Sequence, residues 1–185
     1  MSTLTTPLAA GQPVLAMPAA PCLADHDRRL VRYVLTTGPR ADRRAQAGLR
    51  VHDVGGAGQV VCDLLGAAHL PQAAAIVAAH RLVTPSEIGL SPSPVAAAHL
   101  QPRVRRALEL LTSGLTASQI AVRLGVGDDT ARGYLTDAVQ ELGAGRRPQA
   151  VFLAVTYDVL ALSAISPRFP AVVLSEALRL WGAGR

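Results

Sequence analysis

The sequence predicts an all-α protein made of two helix-turn-helix units in tandem. Apolar residues recur three and four positions apart along most of the chain, a spacing typical of amphipathic helices. The strict alternation that indicates β-strands is nearly absent. One ordered set of motifs also occurs twice, and 50% of the 185 residues are hydrophobic, which is enough for a sizeable core.

Composition divides the chain into five segments. Residues 1–24 are rich in Thr, Ala and Pro without helical periodicity, so we expect a flexible tail. Residues 25–83 form the first helical unit, and residues 84–99, which contain three prolines and several serines, form a linker. Residues 100–165 form the second unit. Residues 166–185 begin with a proline-containing break and predict a C-terminal amphipathic helix from Ala171 to Trp181.

The second unit carries the clearest helix signals. A first helix is expected from Pro102 to Ser113, where Gly114 stops it. Thr116 opens the next helix as its N-cap, and Gln119 completes a capping box three residues later. Gly125 ends that helix and allows a sharp turn. A third helix is then expected from about residue 128 to residue 142.

The charge balance suits a polyanionic partner. The chain has 18 basic and 13 acidic residues, a formal net charge of +5. Every basic residue is an arginine, whose planar guanidinium can bind phosphate or guanine with two parallel hydrogen bonds. The excess charge favours nucleic acid only slightly, because arginine is abundant throughout this composition.

Other function classes find little support. Cys22 and Cys62 lie far apart without a second cysteine nearby, so we expect reduced thiols and neither a disulfide framework nor a zinc site. The five histidines have no metal-ligand spacing, and no catalytic or cofactor-binding motif is present. No apolar stretch is long enough to span a membrane, and residues 1–24 lack the features of a signal peptide. We therefore expect a cytoplasmic protein that is not an enzyme and needs no metal or cofactor.

From Leu100 to Leu160 the motifs follow one another in the order of a known family. They read L-x-P-R-x-R, T-S-G-L-T-x-x-x-I-A-x-x-L-G-V, T-x-R-x-Y-L-x-x-A, L-G-A and R-x-P-Q-A. This segment closely resembles the LuxR/FixJ (GerE-type) family of helix-turn-helix regulators. The resemblance implies a trihelical core with a fourth helix at Pro148–Ile165, binding of double-stranded DNA, and regulation of transcription.

The resemblance also implies site residues. Arg132, Gly133 and Thr136 match positions that approach base edges in the major groove. The positions that match contacts to the DNA backbone are Arg103, Gln119, Thr130 and Tyr134, and the predicted DNA-contacting set is completed by Thr116, Arg146 and Arg147. The fourth helix often forms the dimer interface in this family, so a homodimer is expected through Val151, Phe152, Val155 and Val159.

Some residues depart from the family pattern. Gly133 offers no side chain, Thr136 replaces a residue that is often longer or basic, and Glu141 stands where the family usually has lysine. Asp128 and Asp129 place negative charge at the start of the third helix, which stabilises the helix dipole but repels phosphate. These departures predict a DNA affinity that is low or limited to few sequences.

The first unit is interpreted as a degenerate copy of the second. Leu65-Gly66-Ala67 matches Leu142-Gly143-Ala144, and Pro71-Gln72-Ala73 matches Pro148-Gln149-Ala150, at the same separation along the chain in both cases. The third-helix region of the first copy, Val51–Leu65, contains three glycines, each of which costs about 1 kcal/mol of helix stability. We expect this copy to keep its packing but not base recognition.

Two other functions remain open at this stage. The chain could be a protein-interaction module that holds a partner regulator or RNA polymerase, a hypothesis favoured by Asp128, Asp129, Gly133 and Glu141. It could also be a small-molecule sensor with a pocket between the two copies. The preferred hypothesis is a DNA-binding regulator.

Overall fold

The computed structural model describes residues 16–90 and 100–182, and within these ranges the chain has nine α-helices and no strand. The all-α prediction is therefore confirmed for the part of the chain described. Residues 1–15 of the predicted tail and 91–99 of the predicted linker lie outside it. The helices are α1 (Asp25–Leu35), α2 (Arg40–Ala47), α3 (Ala57–Leu65), α4 (Leu70–Ala79), α5 (Pro102–Thr112), α6 (Ala117–Leu124), α7 (Asp128–Glu141), α8 (Arg147–Thr156) and α9 (Leu174–Gly182).

The first, second and fourth helices of α1–α4 begin at one fixed spacing from those of α5–α8. The separation in sequence between the first residues of α2 and α6 is the same as that between the first residues of α4 and α8. The glycines that end equivalent helices share the left-handed conformation: Gly48 and Gly125 have φ values of 63° and 65°. Only glycine adopts this conformation without steric cost, so it ends the helix and redirects the chain. We call α1–α4 the N-terminal unit and α5–α8 the C-terminal unit.

The two units pack against each other through their fourth helices. Five buried alanines of α4 present little bulk, so the apolar face of α8 can approach closely. Phe152 of α8 is 1% exposed. Burying an aromatic side chain of this size contributes roughly 1.5–3 kcal/mol through the hydrophobic effect. One continuous apolar core therefore runs through both units.

A pair of equivalent glutamines joins the units across this interface. The fully buried Gln149 accepts a hydrogen bond from the Gly145 amide at 3.0 Å and donates to the Leu35 carbonyl at 2.6 Å. Gln72, its counterpart in the N-terminal unit, accepts from the Ala68 amide at 2.8 Å and donates to the Ile165 carbonyl at 3.0 Å. Each glutamine thus accepts a hydrogen bond from a backbone amide just before its own helix and donates one to a carbonyl far away in the sequence.

The fourth helix of the C-terminal unit is shorter than the sequence predicts. It ends at Thr156 rather than near Ile165. Asp158 adopts the left-handed conformation with φ of 59°, and the Val159 amide turns back to donate to the Ala154 carbonyl at 2.8 Å. A glycine commonly marks such an ending, and here an aspartate takes the position without that signal.

Parts of the predicted linker and tail are packed on the helices. Ile88 and Leu90 of the 84–99 segment are buried, and a short 3-10 helix at Ser86–Ile88 contacts α1. Met17, inside the predicted tail, is also buried in the shared core. The expectation of a loose chain was wrong at these positions, because apolar side chains among the prolines and serines find core surface to cover.

None of the described helices is by itself long and apolar enough to cross a membrane. Helices α3 and α4 meet the length and composition criteria only as a pair bent by 53°.

Candidate nucleic-acid interface

The turn between α6 and α7 has the geometry that the sequence predicts. The Thr116 amide donates to Oε1 of Gln119 at 2.8 Å, and the Gln119 amide donates to Oγ1 of Thr116 at 3.4 Å, which forms the reciprocal capping box. Gly125 ends α6 in the left-handed conformation. Ser118 of α6 then donates to the Asp128 carboxylate at 2.8 Å, which ties α6 to the start of α7. The turn is therefore fixed at both ends.

Helix α7 buries one face and exposes the other. Ala131, Leu135 and Ala138 are fully buried against the rest of the unit. The opposite face exposes Arg132 and Thr136. An exposed helical face of this kind has the shape that enters the major groove of DNA.

The guanidinium of Arg132 is paired with two carboxylates at the beginning of α7. It lies 3.1 Å from an Asp129 oxygen and 3.5 Å from an Asp128 oxygen. All three side chains are largely exposed, so each pair contributes only about 0.2–1 kcal/mol. Because these exposed pairs are weak, another acceptor such as a guanine edge can compete for this arginine. Thr136 donates its hydroxyl to the Arg132 carbonyl at 3.0 Å.

The charge along α7 is negative overall. The helix contains four acidic residues and one basic residue. The other basic residues of the C-terminal unit lie on α5 and α6, where Arg103 and Arg123 are exposed, and at the start of α8. Contacts to the DNA backbone would therefore come from the elements around α7 rather than from α7 itself.

The remaining predicted contact residues fall into two groups. Arg103 and Thr130 are exposed, and so are Thr116 and Gln119, although the last two are engaged with each other in the capping box. Tyr134 is half-buried and packs against the core, and Gly133 lies beside it on α7 with open space around its Cα.

Arg146 and Arg147 have different surroundings from those expected. Arg146 precedes α8, and its Nη2 donates to the Val34 carbonyl and, at 2.7 Å, to the Thr36 carbonyl of the N-terminal unit. Burial and the nearby Arg43 guanidinium both lower the pKa of Arg146. The guanidinium of Arg146 is therefore engaged within the chain. Arg147 is half-buried.

The residues predicted to hold a homodimer are packed inside one chain. Val151, Phe152 and Val155 are at most 1% exposed, within the helix that packs on α4, and Val159 packs beside the same core. In this conformation the fourth helix of the C-terminal unit already has a partner, which is the fourth helix of the N-terminal unit.

The N-terminal unit has a broken counterpart of α7. Residues Val51–Val54 form a short 3-10 helix, and α3 begins only at Ala57, after Gly56 with φ of 69°. The exposed face of α3 carries Val60 and Leu64, which are 41% and 40% exposed. The break in the helix agrees with the glycine-rich composition of the region.

Sequence patterns missed an apolar surface on α6. Val122 is 84% exposed, and it lines an open cleft of about 620 Å³ with Leu115, Ser118, Gln119 and Arg123. A signal existed, because a valine stands on the outer side of an otherwise regular amphipathic helix. Among the described residues, no group of three or more His, Cys, Asp or Glu side chains could hold a metal ion.

Comparison with known proteins leaves the family resemblance as a prediction. No family model, no curated protein and no solved structure matches the chain.

Proposed function

We propose that the C-terminal unit is a LuxR/FixJ-type helix-turn-helix domain that binds duplex DNA and regulates transcription. The observation that carries this proposal is the capped α6, followed by the left-handed turn at Gly125 and the 14-residue α7 with an exposed outer face. In this proposal α7 enters the major groove, and the N-terminal unit, with its broken third helix, supports the C-terminal unit rather than reading bases.

Arg132 is the principal base-reading residue in this proposal. Its exposed pairs with Asp128 and Asp129 hold the guanidinium over the first turn of α7. On cognate DNA the guanidinium leaves these carboxylates and binds a guanine edge with two hydrogen bonds. On other sequences the guanidinium gains no base contact, and the net negative charge of α7 opposes the DNA phosphates. The same residues therefore favour low affinity for random DNA and strong discrimination.

The predicted homodimer needs a different surface from the one the sequence suggests. The fourth helix of the C-terminal unit is covered by α4 of the same chain. One chain then supplies one intact reading helix and recognises one half-site. A homodimer that binds an inverted repeat would have to form through surfaces outside the α4–α8 contact. Light scattering of the full chain measures whether such a dimer forms.

The test compares variants of Arg132 on a duplex obtained by selection from genomic fragments. Arg132→Ala should weaken binding to the selected duplex by about 1–3 kcal/mol, at least several-fold, with little change on a scrambled duplex. Arg132→Lys keeps the charge but loses the planar fork, so it should lose discrimination in the same way. Arg179→Ala removes an exposed arginine from α9 and serves as the matched control. Equal effects of Arg132→Ala and Arg179→Ala on both duplexes would contradict the proposal.

The apolar surface on α6 favours a second function, that of a protein-interaction module. The 84% exposed Val122 and its cleft provide an apolar anchor site beside the acidic start of α7. In this hypothesis the unit binds a partner regulator or RNA polymerase and contacts DNA without sequence preference. It predicts that Val122→Glu abolishes complex formation with purified RNA polymerase or the partner regulator, whereas Arg132→Ala leaves DNA binding unchanged.

A further inference from the structure

Three arginines meet at an open cleft where the two units join. The cleft has a volume of about 500 Å³, and Arg40 and Arg43 of α2 line it together with Arg146, which precedes α8. Its walls include Tyr33 and Val34 of α1, and the first residues of α3. The cleft thus combines a concentration of positive charge with an apolar wall.

None of these arginines is neutralised by the described part of the chain. The ion pairs there involve Arg29, Arg106 and Arg132, and no aspartate or glutamate lines the cleft. The Nε atoms of Arg43 and Arg146 are buried and have no hydrogen-bond partner among the residues that the structure describes. Burial lowers the pKa of Arg146, and repulsion from the nearby Arg43 guanidinium lowers it further. An anion in the cleft would relieve this repulsion.

Two of the guanidiniums are already held in place. Arg43 donates through Nη1 to the Tyr33 carbonyl at 3.3 Å, and its guanidinium carbon lies 4.8 Å from the centre of the Tyr33 ring. Arg146 is fixed by the Val34 and Thr36 carbonyls. A ligand would not have to order these side chains, so less conformational entropy is lost on binding.

The start of α3 adds backbone donors to the same cleft. Gly56, Ala57 and Gly58 line it, and within residues 16–90 and 100–182 no side chain caps this end of the helix. The first amide groups of a helix have no helical carbonyl to bond, and they are oriented to bind anions. Gly56 has open space where a side chain would stand, which lets a ligand approach the backbone there.

The cleft arises from residues in which the two units differ. When the units are aligned at their fixed spacing, Arg43 corresponds to Ile120, which is fully buried in the C-terminal unit, and Arg40 corresponds to Ala117. Ala57 likewise corresponds to Tyr134, which packs against the core. The N-terminal unit therefore has an arginine at a core position and a small residue where its sister has an aromatic ring. Packing alone does not explain an arginine in place of a buried isoleucine and an alanine in place of a tyrosine.

We propose that this cleft binds the phosphate or pyrophosphate group of a small organic molecule. Arg40, Arg43 and Arg146 bind the anionic oxygens, and the start of α3 donates backbone hydrogen bonds to them. The half-buried Leu70 side chain contacts the organic part. This site is independent of the DNA-binding surface proposed for α7, so either one stands if the other fails.

The test measures binding of pyrophosphate to the full chain by calorimetry at constant ionic strength. Saturable binding of one equivalent is expected, and Arg40→Gln and Arg43→Gln should each weaken it by about tenfold, the effect of one charge-assisted hydrogen bond. The matched control is Arg44→Gln, a change on the same helix at a residue that does not line the cleft, and it should leave the affinity unchanged. Circular dichroism of each variant checks that the fold is kept.

Three results would overturn the proposal. Equal losses in Arg40→Gln, Arg43→Gln and Arg44→Gln would show that pyrophosphate senses only the overall charge. No saturable binding would show that the cleft is not an anion site. In the third result, random duplex DNA displaces pyrophosphate, and Arg40→Gln binds that duplex with tenfold lower affinity. This would show that the arginines bind the DNA backbone instead of a small molecule.

Discussion

Replacing Gln149 with methionine should lower the stability of the fold substantially, because the glutamine side chain makes hydrogen bonds to two backbone groups at the junction of the units. Methionine has a similar length but cannot form either hydrogen bond. The buried Leu35 carbonyl would lose its 2.6 Å bond, at a cost of about 1–3 kcal/mol. The Gly145 amide is more exposed and can bond to water, so its lost bond costs about 0.5–1.5 kcal/mol. Gln149→Met should therefore lower the free energy of unfolding by about 1.5–4.5 kcal/mol.

The assay is urea denaturation followed by far-ultraviolet circular dichroism, with Gln72→Met as the matched variant. Gln72 makes equivalent bonds from the N-terminal unit, but it is only half-buried, so water replaces the lost partners. Its substitution should cost about 1 kcal/mol. Equal losses in the two variants, or a loss below about 1 kcal/mol for Gln149→Met, would refute the reasoning that burial makes this contact important.

Three further predictions follow from local geometry. Gly125→Ala should destabilise the protein by about 1–2 kcal/mol because alanine is strained at φ of 65°. Gly133 lies within α7 and has open space where a side chain would stand, so Gly133→Ala should stabilise the protein by up to about 1 kcal/mol in the same denaturation assay. Thr116→Ala should cost about 1 kcal/mol through loss of the α6 cap, and an unchanged midpoint would contradict this. Burial raises the pKa of the Cys62 thiol, so a thiol reagent at neutral pH should modify the exposed Cys22 quickly and Cys62 slowly. The Cys22→Ser variant should show only the slow reaction, and equal rates at the two cysteines would contradict this prediction.

Local sequence signals predicted the first three helices of the C-terminal unit closely. The capping box at Thr116 and the glycine at position 125 act within a few residues of themselves, so their effect can be recognised without knowing the fold. The third helix, expected over residues 128–142, ends at Glu141. The repeated Pro-Gln-Ala motif also predicted that residues near 71 and 148 would occupy equivalent places, at the starts of α4 and α8.

The arrangement of the units could not be predicted in the same way. The apolar face of α8 was expected to pair with a second chain, but the equivalent helix of the same chain covers it. A surface pattern shows that a partner is required and does not identify the partner. The role of Arg146 was missed for a similar reason, since its acceptors, the Val34 and Thr36 carbonyls, lie far earlier in the chain.

The central claim of a sequence-reading α7 is tested most directly by selecting genomic fragments with the purified full chain and titrating the best fragment against scrambled DNA at several salt concentrations. We predict an enriched motif that binds at least several-fold more tightly than its scrambled version, with an affinity that falls as salt rises because arginines displace counterions from phosphates. Recovery of fragments without a common motif, bound weakly and equally at every salt concentration, would contradict the claim.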